Sequence, residues 1–426
     1  MKNKNTTMKL PSSPPRSHTH HKLLAPVLAL LFLCLIIYFT LSLIGCPPEE
    51  EILTLVEAPL PTLFQEDLDD PAPFIQALDK QIRWFQRRIE REKSDDKKKI
   101  WQFGVRQVNA PLMLKTLQTF KEVYQKNHHT PELRKNLIKL FDFYKMGGNV
   151  KNNVLFTGYY TPIIKATLKP DQKFKFPLYR LPDDLIKVNL SLFSKNLANK
   201  YITGRYDATL KQFLPYYTRD EIDWAGKLAG RGLEIAYLAD YIDQFFLHIQ
   251  GGGILEIPGG EMIHVNYAGK NGRRFVGTGR LLLKDGEISK DLMSMQAIRQ
   301  YFQNHPEKIR HYCSQNESYV FYVRDKSGPY GSIGLIITPG RAIATDKKFF
   351  TGGAVCLISA RIPIPETPAK IPLKQKAFAR FVLDQDTGGA IVGNHVDLYC
   401  GAGETAALQA GSMNAMGDVY MLLLKE

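Results

Sequence analysis

Hydrophobic positions change their rhythm several times along this chain. From residue 23 to residue 44 they run almost unbroken, with no charged residue. About 20 such residues are enough to cross a bilayer. Farther on, Ile75, Leu78, Ile82, Phe85 and Ile89 recur at helical spacing with Lys and Arg between them. That spacing opens a helical region over 76–147, with further helices predicted around 112–126 and 131–145. At Val154 the pattern becomes β-branched and aromatic, broken by Gly158, which predicts a strand. From there to about residue 300, Gly and Pro turns separate short apolar runs. Two helices interrupt them, near 218–229 and near 289–304. The first opens on Thr218-Arg219-Asp220-Glu221, a capping pattern. Residues 317–424 again read as short strands with Gly turns. The fold class is therefore mainly β with N-terminal helices.

The chain has 426 residues, more than one core usually holds, so two domains are expected. Hydrophobic residues make up 44% and charged residues 23%, which excludes a disordered chain. No repeat at a fixed period is visible, which argues against solenoids and propellers.

The net charge of +14 points to an anionic partner: lipid headgroups, a cell-wall polymer or nucleic acid. No nucleic-acid motif accompanies it, so nucleic acid is not expected as a partner. Lys2, Lys4, Lys9, Arg16 and Lys22 lead the apolar run, and no acid precedes Glu49. A basic segment before an apolar run is the layout of an export signal or a membrane anchor. The basic region 1–22 stays in the cytoplasm and the rest is exported. The run ends in Leu43-Ile44-Gly45-Cys46, which resembles a bacterial lipobox, with Cys46 the residue to be acylated. A cleaved lipoprotein and an uncleaved N-terminal anchor over 23–45 are both open. Residues 46–75, rich in Pro, Asp and Glu, read as a linker. Cys313, Cys356 and Cys400 remain, which allows one intrachain disulfide at most.

Nucleotide-loop and zinc-helix motifs are absent, so no metal and no cofactor is expected. The C-terminal stretch carries the candidate chemistry. Phe381-Val382-Leu383-Asp384-Gln385-Asp386-Thr387-Gly388-Gly389 puts an acid at the end of an apolar strand. In His395-Val396-Asp397-Leu398-Tyr399, a period of two sets His395, Asp397 and Tyr399 on one face. Asp is disfavoured in a strand centre, so Asp397 is a candidate for chemistry against the plain alternative of a solvated edge strand. A third acid, Asp346, follows Arg341 after an apolar run, 334–337, read as a strand. Asp386-Thr387-Gly388 also matches the loop of aspartic proteases. That chemistry needs two carboxylates sharing a proton, and the motif occurs once.

These acids, in this order, resemble the three-aspartate (3D) domain. The matching segments are Arg341 to Asp346, Asp386 to Gly393, and Asp397-Leu398-Tyr399. Upstream, Phe156-Thr157-Gly158-Tyr159-Tyr160-Thr161-Pro162, Pro177-Leu178-Tyr179-Arg180, Thr218-Arg219-Asp220-Glu221-Ile222, Phe246-Leu247-His248-Ile249-Gln250-Gly251 and Tyr267-Ala268-Gly269-Lys270-Asn271-Gly272 are similar to the membrane-bound lytic murein transglycosylase A family. The resemblance covers roughly 154–424. It implies a double-psi β-barrel with a smaller inserted β-domain and a substrate groove between them. On this chain the barrel domain would be 76–163 with 301–426, and the insert 164–300.

The resemblance also implies an activity. The family cleaves the β-1,4 bond between N-acetylmuramic acid and N-acetylglucosamine in peptidoglycan and leaves 1,6-anhydromuramic ends. By family position Asp397 would be the single general acid and base, with Asp386 in support and Arg341 and Asp346 structural. Tyr159, Tyr160, Thr161, Gln250 and Gly251 would contact substrate. One departure stands out: the family's Gln-Gly-Ser-Gly reads Gln250-Gly251-Gly252-Gly253 here, which implies weaker binding at one subsite. The expected partners are glycan strands and a membrane, and the expected location is the periplasm-facing cell envelope at the inner or outer membrane. A non-catalytic wall-binding protein on the same fold is the alternative.

Overall fold

The computed structural model describes residues 53–57, 70–94, 98–128, 130–147, 153–198, 200–350, 352–364 and 373–426. The apolar run 23–45, Cys46 and most of the linker 46–75 lie outside them. The first part of the chain supplies β1 (Leu53–Val56), a helix Ala72–Glu92, the hairpin β2 (Trp101–Phe103) and β3 (Arg106–Val108), helices Ala110–Asn127 and Pro131–Leu140, and β4 (Phe141–Met146). β5 (Val154–Thr161) follows. Leu78, Ile82 and Phe85 are buried on one face of the first helix, as the spacing predicts, while Ile75 and Ile89 are partly buried and Phe74 joins the core instead.

In this part of the chain two local expectations differ from the structure. The third helix stops at Leu140, and the residues that continued its pattern form β4. Phe141, Phe143 and Tyr144 are all buried, and the strand pairs antiparallel with the end of the chain, so sheet pairing overrides a helical spacing. The β2–β3 hairpin interrupts the helical region, turning at Gly104 with φ of +55°.

The insert begins directly after β5, across Pro162. It contributes β6 (Ile163–Thr167), β7 (Phe176–Tyr179), β8 (Ile186–Asn189), β9 (Tyr201–Asp207), β10 (Gln212–Pro215), β11 (Glu234–Leu238), β12 (Gly253–Ile257), β13 (Glu261–Lys270) and β14 (Val320–Asp325). Six of these make one sheet in the order β14-β13-β12-β6-β11-β7, and β8, β9 and β10 make a second. The segment 301–325, which the sequence assigns to the barrel side, packs with the insert. Tyr301, Phe302 and Tyr312 share a core with Phe245 and Phe246, and β14 pairs with β13. The chain therefore returns to the barrel after Asp325.

Within the insert, the predicted helix near 218–229 is only Arg219–Asp223, started by the expected capping box of Thr218 and Glu221. Arg219 is wholly buried. It donates to the carbonyls of Asn316 and Ser318 and to His248 Nδ1, and pairs with Asp223. This network explains two sequence segments at once and gives both a packing role. A helix not expected from the pattern, Tyr241–Gln250, carries His248 and Gln250.

The rest of the chain forms β15 (Ala342–Ala344), β16 (Val355–Ile364), β17 (Lys374–Asp386), β18 (His395–Ala402), a helix Gly403–Gly411 and β19 (Ala415–Leu424). The run 334–337, read as a strand, makes only an isolated bridge between Tyr330 and Ile336. The sheet order is β1-β4-β19-β16-β17-β15-β18-β5, and β19 pairs back onto β5. Strands β5, β18, β15, β17, β16 and β19 thus close into a barrel. Two of its pairings, β18–β5 and β15–β17, are parallel. Phe381, Val382, Leu383, Val396 and Leu398 join the same core as the N-terminal helices. Arg341 ties these layers together, donating to the Phe381 carbonyl with its guanidinium 4.8 Å from the Phe74 ring. Cys313, Cys356 and Cys400 are all unpaired.

Helix Gly403–Gly411 lies against β5 at Gly158. A Cβ at that position would stand 2.8 Å from Ala410 Cα and 3.0 Å from Cys400 Sγ. Gly158→Ala should therefore lower stability by about 1–3 kcal/mol, measured by urea unfolding, because backbone must move to admit the methyl group. An unchanged midpoint would mean that the helix is not held this close.

Candidate active site

The parallel pairing of β5 with β18 sets Thr157 beside Asp397 and Tyr159 beside Tyr399. On β18 the expected alternation holds: Val396 and Leu398 are buried in the barrel core, while His395 and Asp397 face the other way and are half-buried. Asp386 ends β17. Its two oxygens accept three donors: Tyr159 Oη at 2.9 Å, the Ser332 N–H at 2.9 Å and the Thr387 N–H at 2.8 Å. Asp397 receives one side-chain hydrogen bond, from Thr157 Oγ1 at 2.7 Å.

This difference in donors separates the two acids. Burial disfavours the charged form of both. At Asp397 burial dominates, the Thr157 bond opposes it and the Asp386 charge adds to it, so the pKa is pushed up to about 7. Asp386 is also raised by burial, but its three donors pull the other way. Asp397 is thus about half-protonated at pH 7, while Asp386, equally enclosed, has three donors that suit a carboxylate. The oxygens of Asp386 are engaged by Tyr159, Ser332 and Thr387, which is not the shared-proton arrangement that aspartic protease chemistry requires.

The other sequence candidates fall into three places. Tyr159 joins the acids through its hydroxyl, and its ring lies 5.2 Å from that of Tyr399. Thr161 is 3% exposed and its hydroxyl meets Tyr399 Oη at 2.8 Å, behind the acids. Tyr160 and Gln250 meet each other: Gln250 Oε1 accepts from the Tyr160 N–H at 3.0 Å, joining the end of β5 to the insert. Gly251 ends the helix Tyr241–Gln250 with φ of +79°, a left-handed turn that suits glycine. At Gly252 a Cβ would stand 2.8 Å from the Val265 carbonyl, so the serine of the related pattern has no room in this backbone.

Asp346 accepts from the Gly393 N–H at 2.8 Å and from the Lys348 N–H, bridging two turns at one end of the barrel. Three residues near the acids were missed by the sequence reading. Thr157 bonds Asp397, Ser332 bonds Asp386, and Lys347 pairs with the fully buried Asp384 two residues before Asp386. Among the described residues no group of three or more His, Cys, Asp or Glu side chains is arranged to hold a metal ion.

The raised pKa of Asp397 has a consequence for stability. In an unfolded chain an Asp titrates near 3.9. Between that value and about 7 the folded chain binds the extra proton, so this group costs stability as pH rises across that window, and the cost is complete above it. Asp397→Asn should match the parent near pH 4 and be roughly 2–4 kcal/mol more stable at pH 8 in urea unfolding. A difference that does not vary with pH would contradict the raised pKa.

Comparison with known proteins gives concordant matches. The family profile described as "MltA specific insert domain" matches residues 155–323, and the "3D domain" profile matches 341–423. "Membrane-bound lytic murein transglycosylase A" of Vibrio cholerae is 32% identical over 282 residues, 66% of this chain and 68% of that protein. The protein of the same name from Escherichia coli K12 is 33% identical over 279 residues, 65% and 67% of the two chains. Among solved structures, a membrane-bound lytic murein transglycosylase from Agrobacterium tumefaciens superposes with a TM-score of 0.69 at 27% identity, over 87% of this chain and 98% of that one. E. coli MltA with bound chitohexaose superposes with a TM-score of 0.64 at 25% identity, over 88% and 96%.

Proposed function

The chain belongs to the membrane-bound lytic murein transglycosylase A family and is a lytic transglycosylase acting on peptidoglycan, and we propose that Asp397 is its single general acid and base. The observation that carries this reading is a carboxyl that keeps its proton up to about pH 7, with one donor, next to an acid with three.

The substrate bond is the β-1,4 link between N-acetylmuramic acid and N-acetylglucosamine. Its leaving oxygen is poor and must be protonated as the bond breaks. Neutral Asp397 supplies that proton. The resulting carboxylate takes the proton of the muramic C6 hydroxyl as O6 attacks C1. The 1,6-anhydro ring forms, Asp397 is an acid again, and no water enters. Asp386 acts in support: Tyr159, Ser332 and Thr387 hold it by bonds that favour its charged form, and that charge raises the proton affinity of Asp397. Arg341 and Asp346 hold the barrel and its turns.

The glycan strand lies in a groove between the barrel and the insert, where Tyr160, Gln250 and Gly251 meet it. Tyr159 and Thr161, assigned to substrate by resemblance, act through Asp386 and Tyr399 instead. The barrel part is the chain from β1 to Thr161 with the chain after Asp325, and the insert is the stretch between. The enzyme is membrane-anchored in the cell envelope. The anchor is either the retained apolar run 23–45 or, once that run is cut away, the acyl chains on Cys46. The basic surface favours a polymer whose stem peptides carry carboxylates.

Digestion of purified sacculi by the full chain in detergent tests this. Released muropeptides should be one water lighter than hydrolysed ones. Asp397→Asn should slow release by roughly 10²–10⁴-fold while still binding sacculi. With the parent, kcat/KM should fall about tenfold per pH unit above about 7, where the acid loses its proton. Products with free reducing ends, or Asp397→Asn near parental activity, would refute the reading.

A further inference from the structure

Thr157, which the mechanism above leaves unused, stands between two titratable groups. Its Oγ1 is 2.7 Å from Asp397 Oδ1 and 2.8 Å from His395 Nε2. The other ring nitrogen of His395, Nδ1, is 3.2 Å from the carbonyl oxygen of Ala390. These three contacts restrict where protons can sit. A carbonyl oxygen only accepts, so Nδ1 carries a hydrogen. In a neutral imidazole Nε2 is then bare and takes the one proton of the Thr157 hydroxyl. Thr157 Oγ1 is left to accept, and only the acid form of Asp397 has an O–H to give it. When Asp397 is ionised, Thr157 turns its proton to Oδ1. Nε2 then needs a hydrogen of its own to meet Thr157 Oγ1, which makes the ring a cation.

We propose that Thr157 switches its one hydroxyl proton between His395 Nε2 and Asp397 Oδ1 as Asp397 passes from acid to carboxylate, so that the ionisation of Asp397 and the proton affinity of His395 are linked. With substrate bound, Asp397 gives its proton to the leaving oxygen instead of to Thr157 Oγ1. The Thr157 O–H then turns from Nε2 to the new carboxylate, and it turns back when the C6 hydroxyl proton restores the acid. The O–H of Asp397 is broken once and remade once, and His395 gains no proton in the cycle. The inference rests on the reading of Asp397 as acid and base, and gives each role a donor state. While Nε2 holds the Thr157 hydroxyl, Asp397 is the acid; when the hydroxyl turns to Oδ1, it supports the carboxylate that must accept the C6 proton. Thr157 and His395 are positioning residues in this scheme.

Other charged or titratable groups face the pair. Asp386 on β17 and Tyr159 on β5 act on Asp397, Cys400 and Tyr399 lie on β18 itself, and Lys347 acts through Asp386. Burial lowers the pKa of His395 and raises that of Asp397, so both favour the uncharged pair at rest.

Side-chain NMR of the full chain in detergent micelles, labelled with ¹⁵N-histidine, tests the switch without relying on activity. His395 is assigned by the loss of its signals in His395→Gln. The expected result near neutral pH is a neutral ring with the hydrogen on Nδ1. Asp397→Asn offers an amide N–H to Thr157 as the acid would, and should lower the proton affinity of His395 at least tenfold. A hydrogen on Nε2 in the neutral ring, or the same His395 titration in parent and Asp397→Asn, would overturn the proposal. The acid/base reading fails separately, on the activity of Asp397→Asn. In a second measurement, Thr157→Val should move the basic limb of kcat/KM upward by about one pH unit, because the carboxylate loses its donor. Thr157→Ser should restore the parental profile. Identical profiles in parent and Thr157→Val would count against the switch.

Discussion

Strand β5 must satisfy two neighbours at once, and the site depends on that constraint. One edge pairs in parallel with β18 and the other pairs antiparallel with β19. The first pairing puts Thr157 against Asp397 and Tyr159 over Tyr399. The second closes the barrel, so β5 keeps no free edge along which to slip. A one-residue shift would turn Thr157 and Tyr159 to the opposite face and leave both acids without their side-chain donors. Gly158, between them, admits the covering helix Gly403–Gly411 and shuts the same strand from above.

Within that frame the two acids diverge through hydrogen bonding more than through depth. Both are half-buried by surface area and both are crowded by neighbouring atoms. Asp386 meets two backbone N–H groups and a phenol, all donors that suit a carboxylate. Asp397 meets one hydroxyl that is shared with an imidazole. The fully buried Asp384, with Thr345 and Lys347, forms a third arrangement, in which a cation is drawn in to pair the carboxylate. Three acids within fourteen residues thus have three electrostatic settings, each set by partners from other strands or turns.

Much of this was legible in the order of residues, and the illegible part has physical causes. The alternation over 395–399 sets His395 and Asp397 opposite Val396 and Leu398 because a strand repeats every two residues. The ordered acids resemble a known barrel, and the barrel is there. Thr157 left no signal, since its partner lies 240 positions away and pairing between distant strands has no local period. The helix Tyr241–Gln250 was hidden because Phe245, Phe246, Leu247 and His248 are all buried, and a helix covered on most sides shows no stripe. β4 was mistaken for helix because its aromatic residues continued a helical spacing, while its strand partner lay at the far end of the chain.

Only Pro162 separates β5 from β6, and its carbonyl accepts from the Ile254 N–H at 2.8 Å, so this crossing has almost no slack. The return crossing passes Ser332, whose N–H holds Asp386, and Gly331, where a side chain would strike the Gln385 carbonyl. The outgoing tether is therefore pinned to β12 and the return tether to Asp386. Any pivot of the insert would have its axis near Pro162 and its lever arm ending at Ser332. A tug on the insert would be felt first as tension in one hydrogen bond to Asp386.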